Sequence, residues 1–446
     1  MPRDGRSGAG LGRAAPALFG HNGWLGFALV FCVYAYQGLV AGFGVAALPN
    51  HHVGLGASAP EVAWHVALVG LPWVLQPAWG PLVDRYGDFR MGRRRFWALL
   101  ALAGSIAVLL ALAVSAASGD PVADPPLGAT TPFLAAHSAL AALLDTALDG
   151  MVIDRMPREH LGRANAFTRA GFVTGTAAGT ALFASVLPVG HGFQASVAAL
   201  AVAGALAGAL PALVREEAGD AWLSLQRRPA GSGQRSAPFP GLLRRLLAPM
   251  LRRQSLALVS FCLAVEATVA VVQLRTGLEL IRKRGWDAEA LSHWQAGFGL
   301  LSGTLGAFAV GWWSDRLGAL RGLSAVLLAG AAAHAGLALL LAGGAGASAP
   351  AAAAMASALP VLIFVALAPT VMRASRGPGA ATRFALFMAA LNLGGVAGSA
   401  AAGEVGDGVP LWAPVLAAGC VYAACSAVAQ RPGLLFRRPA GAAAAD

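Results

Sequence analysis

The chain has 446 residues, of which 57% are hydrophobic and only 12% charged, about half the ~25% charge of a soluble globular protein. With a mean hydropathy of +0.64 it lacks the polar surface that two or three water-facing domains would need, so its place is a lipid bilayer. The net charge of +11 comes from 31 arginines and one lysine, Lys283, set in short clusters between apolar runs; no continuous basic face with interleaved aromatics exists, which argues against a nucleic-acid partner.

Apolar stretches able to cross ~30 Å of hydrocarbon fall at about 24–48, 62–83, 96–117, 132–154, 164–187 and 193–214. After a polar gap they resume at about 254–281, 291–313, 322–343, 350–372, 382–402 and 411–430. The first run follows basic residues but is too long for a signal-peptide core, so it reads as an uncleaved span. Twelve spans in two sets of six predict an all-α membrane protein: an N-terminal bundle over 1–214, a linker over 215–253 and a C-terminal bundle over 254–446.

Arginines set the orientation. They cluster at Arg3, Arg6 and Arg13, at Arg85 and Arg90 to Arg95, at Arg155, Arg158 and Arg163, in the linker, at Arg316, Arg321, Arg373 and Arg376, and in the tail. The alternate loops 49–61, 118–131, 188–192, 344–349 and 403–410 carry no Lys or Arg; Arg282, Lys283 and Arg284 are the exception. By the positive-inside rule both termini are cytoplasmic, and the inner membrane is the expected location. The linker holds eight arginines with Glu216, Glu217 and Asp220; it reads as a solvated connector, with Gly241–Arg253 a possible basic surface helix. Cys32, Cys262, Cys420 and Cys425 all lie in apolar runs, so a disulfide framework is not expected.

A short pattern recurs at equivalent places in the two sets. Gly80-Pro-Leu-Val-Asp84-Arg85-Tyr-Gly leads into Gly92-Arg93-Arg94-Arg95, and Gly311-Trp-Trp-Ser-Asp315-Arg316-Leu-Gly318 follows the eighth span. Here the sequence resembles the major facilitator superfamily, whose fold of two pseudo-symmetric six-helix bundles around a midplane site the resemblance implies. These residues are then candidate gating groups: Gly80 and Gly311 for close helix approach, Asp84 and Asp315 as pairing acids, and Arg85, Arg93, Arg94, Arg95 and Arg316 as headgroup-level cations. Tyr36-Gln37-Gly38, Gly70-Leu71-Pro72-Trp73, Asp145-x-x-x-Asp149-x-x-x-x-Asp154-x-x-Pro157, Arg169 with Gly171, and Thr382-x-Phe384-Ala385-Leu386 resemble the muropeptide-permease (AmpG-type) branch, which also includes siderophore permeases. Gln76 and the region of Leu263 stand where that branch implies basic residues, and its extra spans have no room here. The siderophore side of the branch is therefore at least as well matched.

An ionisable group at mid-bilayer costs roughly 2.5–3.5 kcal/mol on insertion scales and marks a functional position. Asp145 and Asp149 are four residues apart and share one helical face, about 40° from each other. Glu266 lies within the seventh span, in a stripe with Cys262, Ala270 and Gln273. These three acids are the candidate proton carriers; Asp154, nearer the cytoplasmic end, is expected to pair with the arginines there. Tyr34, Gln37, Gln76, Arg169, Gln273 and Asn392 are candidate cavity residues, and Arg275 is placed to meet Glu279. His51-His52 reads as loop chemistry without a metal. Pro360 and Pro369 predict a kinked tenth helix.

There is no Walker loop, zinc-protease motif or nucleophile elbow, so neither an enzyme nor a cofactor is expected. The reading is a monomeric secondary transporter importing a small solute with protons by alternating access. A proton-driven efflux carrier is the alternative within that class, and a non-transporting sensor the alternative outside it, although neither terminus is long enough to add a soluble sensory domain.

Overall fold

The computed structural model describes residues 19, 23–86, 89–117, 124–156, 161–227, 251–375, 380–406 and 408–436. Arg3, Arg6, Arg13, Pro157, Arg158, Arg376, Arg437, Arg438 and most of the Gly241–Arg253 segment lie outside the described residues, as does the side chain of Asp315. The described residues form twelve long helical rods. Helix α1 runs over Gly23–Gly42 and continues through a π turn, Phe43–Ala47, into Leu48–Gly54. Helix α2 is Ala59–Val74 followed, after a break at Leu75, by Gln76–Arg85. Then come α3 (Arg93–Ala117), α4 (Leu127–Arg155), α5 (Leu161–Val186) and α6 (Gly192–Leu213).

The second set is α7 (Arg253–Arg282), α8 (Ala288–Leu301, a π turn Ser302–Gly306, then Ala307–Leu317), α9 (Ala319–Ala342), α10 (Ser348–Ser375), α11 (Ala380–Glu404) and α12 (Trp412–Ala429). Ten of these rods are long and apolar enough to cross a membrane; α5 and α8 are not among them. Helix α4 starts at Leu127, earlier than the apolar run suggests, and carries Pro132 inside it. Thr130 and Thr131 donate their hydroxyls to the Leu127 carbonyl at 3.0 and 2.6 Å, local polar satisfaction of the kind that lets a membrane helix carry proline.

Helices do not attract one another hydrophobically in lipid, so close packing must come from small residues. The α1–α5 pair is built that way. A Cβ at Gly171, Gly175 or Gly179 would stand 2.4, 2.0 or 2.3 Å from the carbonyl oxygens of Phe31, Ala35 and Leu39. In return, a Cβ at Gly38 or Gly42 would stand 2.2 or 2.3 Å from those of Phe172 and Thr176. The pair α7–α11 repeats the device, with Gly394 and Gly398 at 2.6 and 2.3 Å from the Leu263 and Ala267 oxygens. The π turn in α1 leaves the Gly44 carbonyl to His65 Nε2 of α2 at 2.9 Å, while His65 Nδ1 meets Thr131 at 2.7 Å. His65 is thus a buried tie between three helices.

Among the described residues two large apolar cores result, one built mainly from α1–α6 and one mainly from α7–α12, with a smaller cluster around Leu337, Leu341 and Val415. The sets meet through α2 against α11 and α5 against α8. Asn392 of α11 donates to the Trp73 carbonyl at 3.1 Å, and a Cβ at Gly303 would meet Val173 at 2.6 Å. Toward the arginine-poor end, Asn50 donates to Ser292 at 2.9 Å and Gln295 at 2.8 Å, and Ser185 donates to Glu289 at 2.6 Å. At that end Lys283 pairs with Glu279 at 3.1 Å and Arg284 bonds Ser348 at 3.1 Å, which gives two of the three exceptional basic residues local partners. Arg275 donates to the carbonyls of Val405 and Val409 at 2.8 and 3.2 Å, so it fastens the loop after α11.

Gly175→Leu should therefore lower the thermal midpoint of the purified protein sharply, by at least the ~1–3 kcal/mol of an overpacked core. Gly80→Ala, where an added Cβ meets nothing within 4 Å, should leave it within a degree or so; thermal unfolding of both variants in detergent checks the contrast.

Candidate functional site

Helix α4 carries the acids, and the local sequence explains their setting. Small residues around them (Ala141, Ala142, Ala147) bury α4 against its neighbours, so a carboxylate at 145 or 149 meets side chains from α1, α2 and α5. Tyr34 of α1 donates to Asp149 Oδ1 at 2.7 Å. Gln76 of α2, just after the break at Leu75, donates its amide to Asp145 Oδ2. The Arg169 guanidinium of α5 lies within electrostatic reach of Tyr34, Asp145 and Asp149. Two carboxylates thus share one guanidinium and one hydrogen bond each from a phenol and an amide. Asp145 is half-buried, while Asp149 and Arg169 are exposed, so the group stands open rather than sealed in the core.

Arg169 also reaches the other half. Its Cζ stands 4.2 Å from the ring centroid of Phe364 on α10. Glu266 lies on α7 against α11, and its Cβ and Cγ would be 3.1 and 3.7 Å from Cβ atoms built at Gly394 and Gly395. Those glycines make room for the carboxylate-bearing chain. Gln273, farther along α7, donates to the Ala356 carbonyl of α10 at 3.1 Å. Gln37 is buried, and neither its amide nitrogen nor its carbonyl oxygen has a partner among the described residues.

The arginine-rich end has a different structure. Arg94 pairs with Asp84 at 2.8 Å and with Asp154 at 3.1 Å, bridging α2, α3 and α4. Gly150 leaves the space, since a Cβ there would sit 2.7 Å from the Arg94 Cζ. Arg95 is wholly buried and donates to carbonyl oxygens of Pro211, Ala212, Met91 and Ala221. Its side chain turns into the protein, because the first turn of α3 packs under the end of α6. Arg93 is exposed. Arg85 lies over Tyr86 at 5.8 Å and Arg316 over Trp312 at 3.7 Å. Gly80 and Gly311 face open space, so the close helix approach expected of them is not made in this conformation.

Glu216, just after α6, departs from the solvated connector expected of 215–253. It is buried, and its Oε2 accepts from the backbone N–H groups of Arg94 and Arg95 at 2.9 and 3.2 Å while Oε1 lies 3.4 Å from Arg155. An acid at the first turn of α3 satisfies orphan donors and meets the positive end of the helix dipole. Glu217 pairs with Arg155 as well. The signal lies in three acids, Glu216, Glu217 and Asp220, directly after a span whose neighbours carry a run of arginines.

A cavity of about 550 Å³ lies between α2 and α4, lined by Trp64, Leu71, Leu75, Trp79, Thr131 and Ala135 among others. None of the three candidate acids lines it. His51 pairs with Asp124 at 2.7 Å, and among the described residues no group of His, Cys, Asp and Glu is arranged to hold a metal.

A family model for the Major Facilitator Superfamily matches residues 24–399. Among solved structures the chain is similar to the nucleoside transporter NupG (12% identity, TM-score 0.63, covering 93% of this chain and 99% of that one). It is also similar to a partially occluded, inward-open form of the xylose transporter XylE from E. coli (12%, 0.64, 91% and 99%). A POT family transporter in complex with a thioalcohol-conjugated peptide is a third (13%, 0.65, 92% and 97%). At these identities the likeness is one of fold. No curated protein matches by sequence.

Glu216→Ala should cost about 1–2 kcal/mol, the worth of a helix cap near a dipole, and Glu216→Gln less, because it keeps an acceptor. Thermal unfolding of the two variants beside the wild type measures the difference.

Proposed function

Since the chain belongs to the major facilitator superfamily, we propose that this membrane transporter moves a small organic solute by alternating access and couples the movement to protons. The two six-helix units, 1–214 and 254–446, are the bodies that tilt, with 215–253 joining them. The observation that carries the reading is the Tyr34–Asp149 and Gln76–Asp145 pair of hydrogen bonds beside Arg169. An exchangeable carboxylate needs a neighbour able to hold it in both charge states, and a phenol and an amide can each do so by turning. Glu266, on α7, the second half's counterpart of α1, is the further proton carrier.

Contacts between the halves gather from mid-membrane to the arginine-poor end, whereas Gly80 and Gly311 stand free at the other. With the arginine-rich end in the cytoplasm of a cell whose inner membrane holds the protein, this supports an inward-open state. Asp84, Arg94 and Asp154, with Arg85, Arg93, Asp315 and Arg316 nearby, form the cytoplasmic gating belt. Tyr34, Gln37, Gln76, Arg169, Gln273 and Asn392 offer the polar contacts for a solute. The substrate class that best fits the span-four acids and their neighbours is a siderophore- or muropeptide-like solute, and the direction is import. The nucleoside, sugar and peptide named for the similar structures are likewise small polar organics, which supports that size class and no closer identity.

Labelled ferric siderophores and anhydro-muropeptides offered to deletion cells, with and without a protonophore, test the reading. The wild-type gene should restore accumulation that the protonophore abolishes. Asp145→Asn and Glu266→Gln should each lower gradient-driven accumulation at least tenfold while leaving exchange of preloaded solute largely intact. Normal accumulation in both variants would remove these acids from the mechanism.

A further inference from the structure

Arg169 stands between two attractors that belong to different halves. On its own side are Tyr34, Asp145 and Asp149. On the other is the face of Phe364, 4.2 Å from the guanidinium carbon and within the ~6 Å over which a cation is drawn to a ring. Phe364 sits on α10 between Pro360 and Pro369, both inside the helix. Each proline removes a backbone hydrogen bond, so the segment bearing the ring can swing relative to the rest of α10. Two other contacts between the halves near this depth are the hydrogen bond from the Asn392 side-chain amide to the Trp73 carbonyl and the packing of Gly303 on Val173. Neither responds to charge.

We propose that Phe364 is a positioning residue of the transport cycle, whose ring holds the Arg169 guanidinium across the interface and so ties the state of the acid pair to the tilt of the halves. Resting on the alternating-access reading above, the assignment gives Arg169 two alternative seats. On Phe364 it bridges the halves in the conformation described here, closed toward the arginine-poor end. Drawn fully to Asp145 and Asp149, it releases α10, and that bridge is lost. A contact of this kind shifts a two-state equilibrium by roughly 2- to 30-fold.

Hydrogen exchange followed by mass spectrometry on the full chain in lipid nanodiscs, without solute or gradient, tests this. The reporters are peptides over 51–58 and 283–290 at the arginine-poor end and over 84–95 and 314–320 at the other. Phe364→Leu keeps apolar bulk and loses the ring. It should raise exchange at the arginine-poor end and lower it at the arginine-rich end, each by 2- to 30-fold. Phe364→Tyr should restore the wild-type pattern, and Phe364→Leu should add nothing in an Arg169→Gln background. Unchanged exchange in Phe364→Leu, a parallel rise at both ends, or failure of tyrosine to rescue would each overturn the proposal. Because no transport or proton movement is measured, such a failure would leave the proton-coupled reading standing, and a failure of that reading would not by itself alter these exchange patterns.

Discussion

Backbone-to-backbone contact between helices is the constraint on which the rest of this structure depends. In lipid, apolar side chains gain nothing by leaving one hydrocarbon surface for another, so a bundle holds only where chains come close enough for dispersion and weak C–H···O contacts to accumulate. Gly171, Gly175 and Gly179 on α5 receive the carbonyls of α1, and Gly38 and Gly42 on α1 receive those of α5. That mutual seating fixes the rotation of both helices. Tyr34 of α1 is thereby turned toward Asp149, and Arg169 of α5 is held within reach of the same acids. In the second half, Gly394 and Gly398 seat α11 on α7 and leave Glu266 its space. The polar site is a consequence of glycine placement.

The charge at the two ends is handled in opposite ways. At the arginine-rich end, cations bind together elements of one half: Arg94 joins Asp84 to Asp154, Arg95 binds four carbonyls under α6, and Glu216 caps α3. At the arginine-poor end, single hydrogen bonds from neutral donors, Asn50 to Ser292 and Gln295 and Ser185 to the Glu289 carboxylate, join the two halves. Ionic networks inside a unit keep it rigid, while the few single hydrogen bonds between units can break and reform at smaller cost. A transporter that rocks as two bodies needs that division.

Much of this could be read in the sequence. Twelve apolar runs and the repeated Gly-x-x-x-Asp-Arg-x-Gly gave the helix count and the duplication, because span length and charge asymmetry are set by the bilayer itself. The spacing of Asp145 and Asp149 placed both on one face, since helical period decides it. What could not be read was anything that depends on which helix touches which. Arg95 and Arg93 are adjacent in a run of like residues, yet one is buried and the other exposed, because the first turn of α3 packs under the end of α6. His65 stands in an apolar run that marks no partner for it, and the π turn that frees the Gly44 carbonyl makes it a strut. Glu216 was hidden in a polar segment whose composition suggested only solvation.

Phe364 illustrates the limit most clearly. Its span carries no acid or base between its prolines, so a search for ionisable groups passes over it. The ring's role arises from a guanidinium in the other half, and the quadrupole of an aromatic face needs no charge of its own to hold a cation. A coupling element made this way also has a physical advantage. A carboxylate at position 364 would bind Arg169 more tightly, but it would compete with Asp145 and Asp149 at full charge and would carry its own desolvation cost. An uncharged ring offers a weaker second seat, close enough in energy for the state of the acid pair to decide between the two.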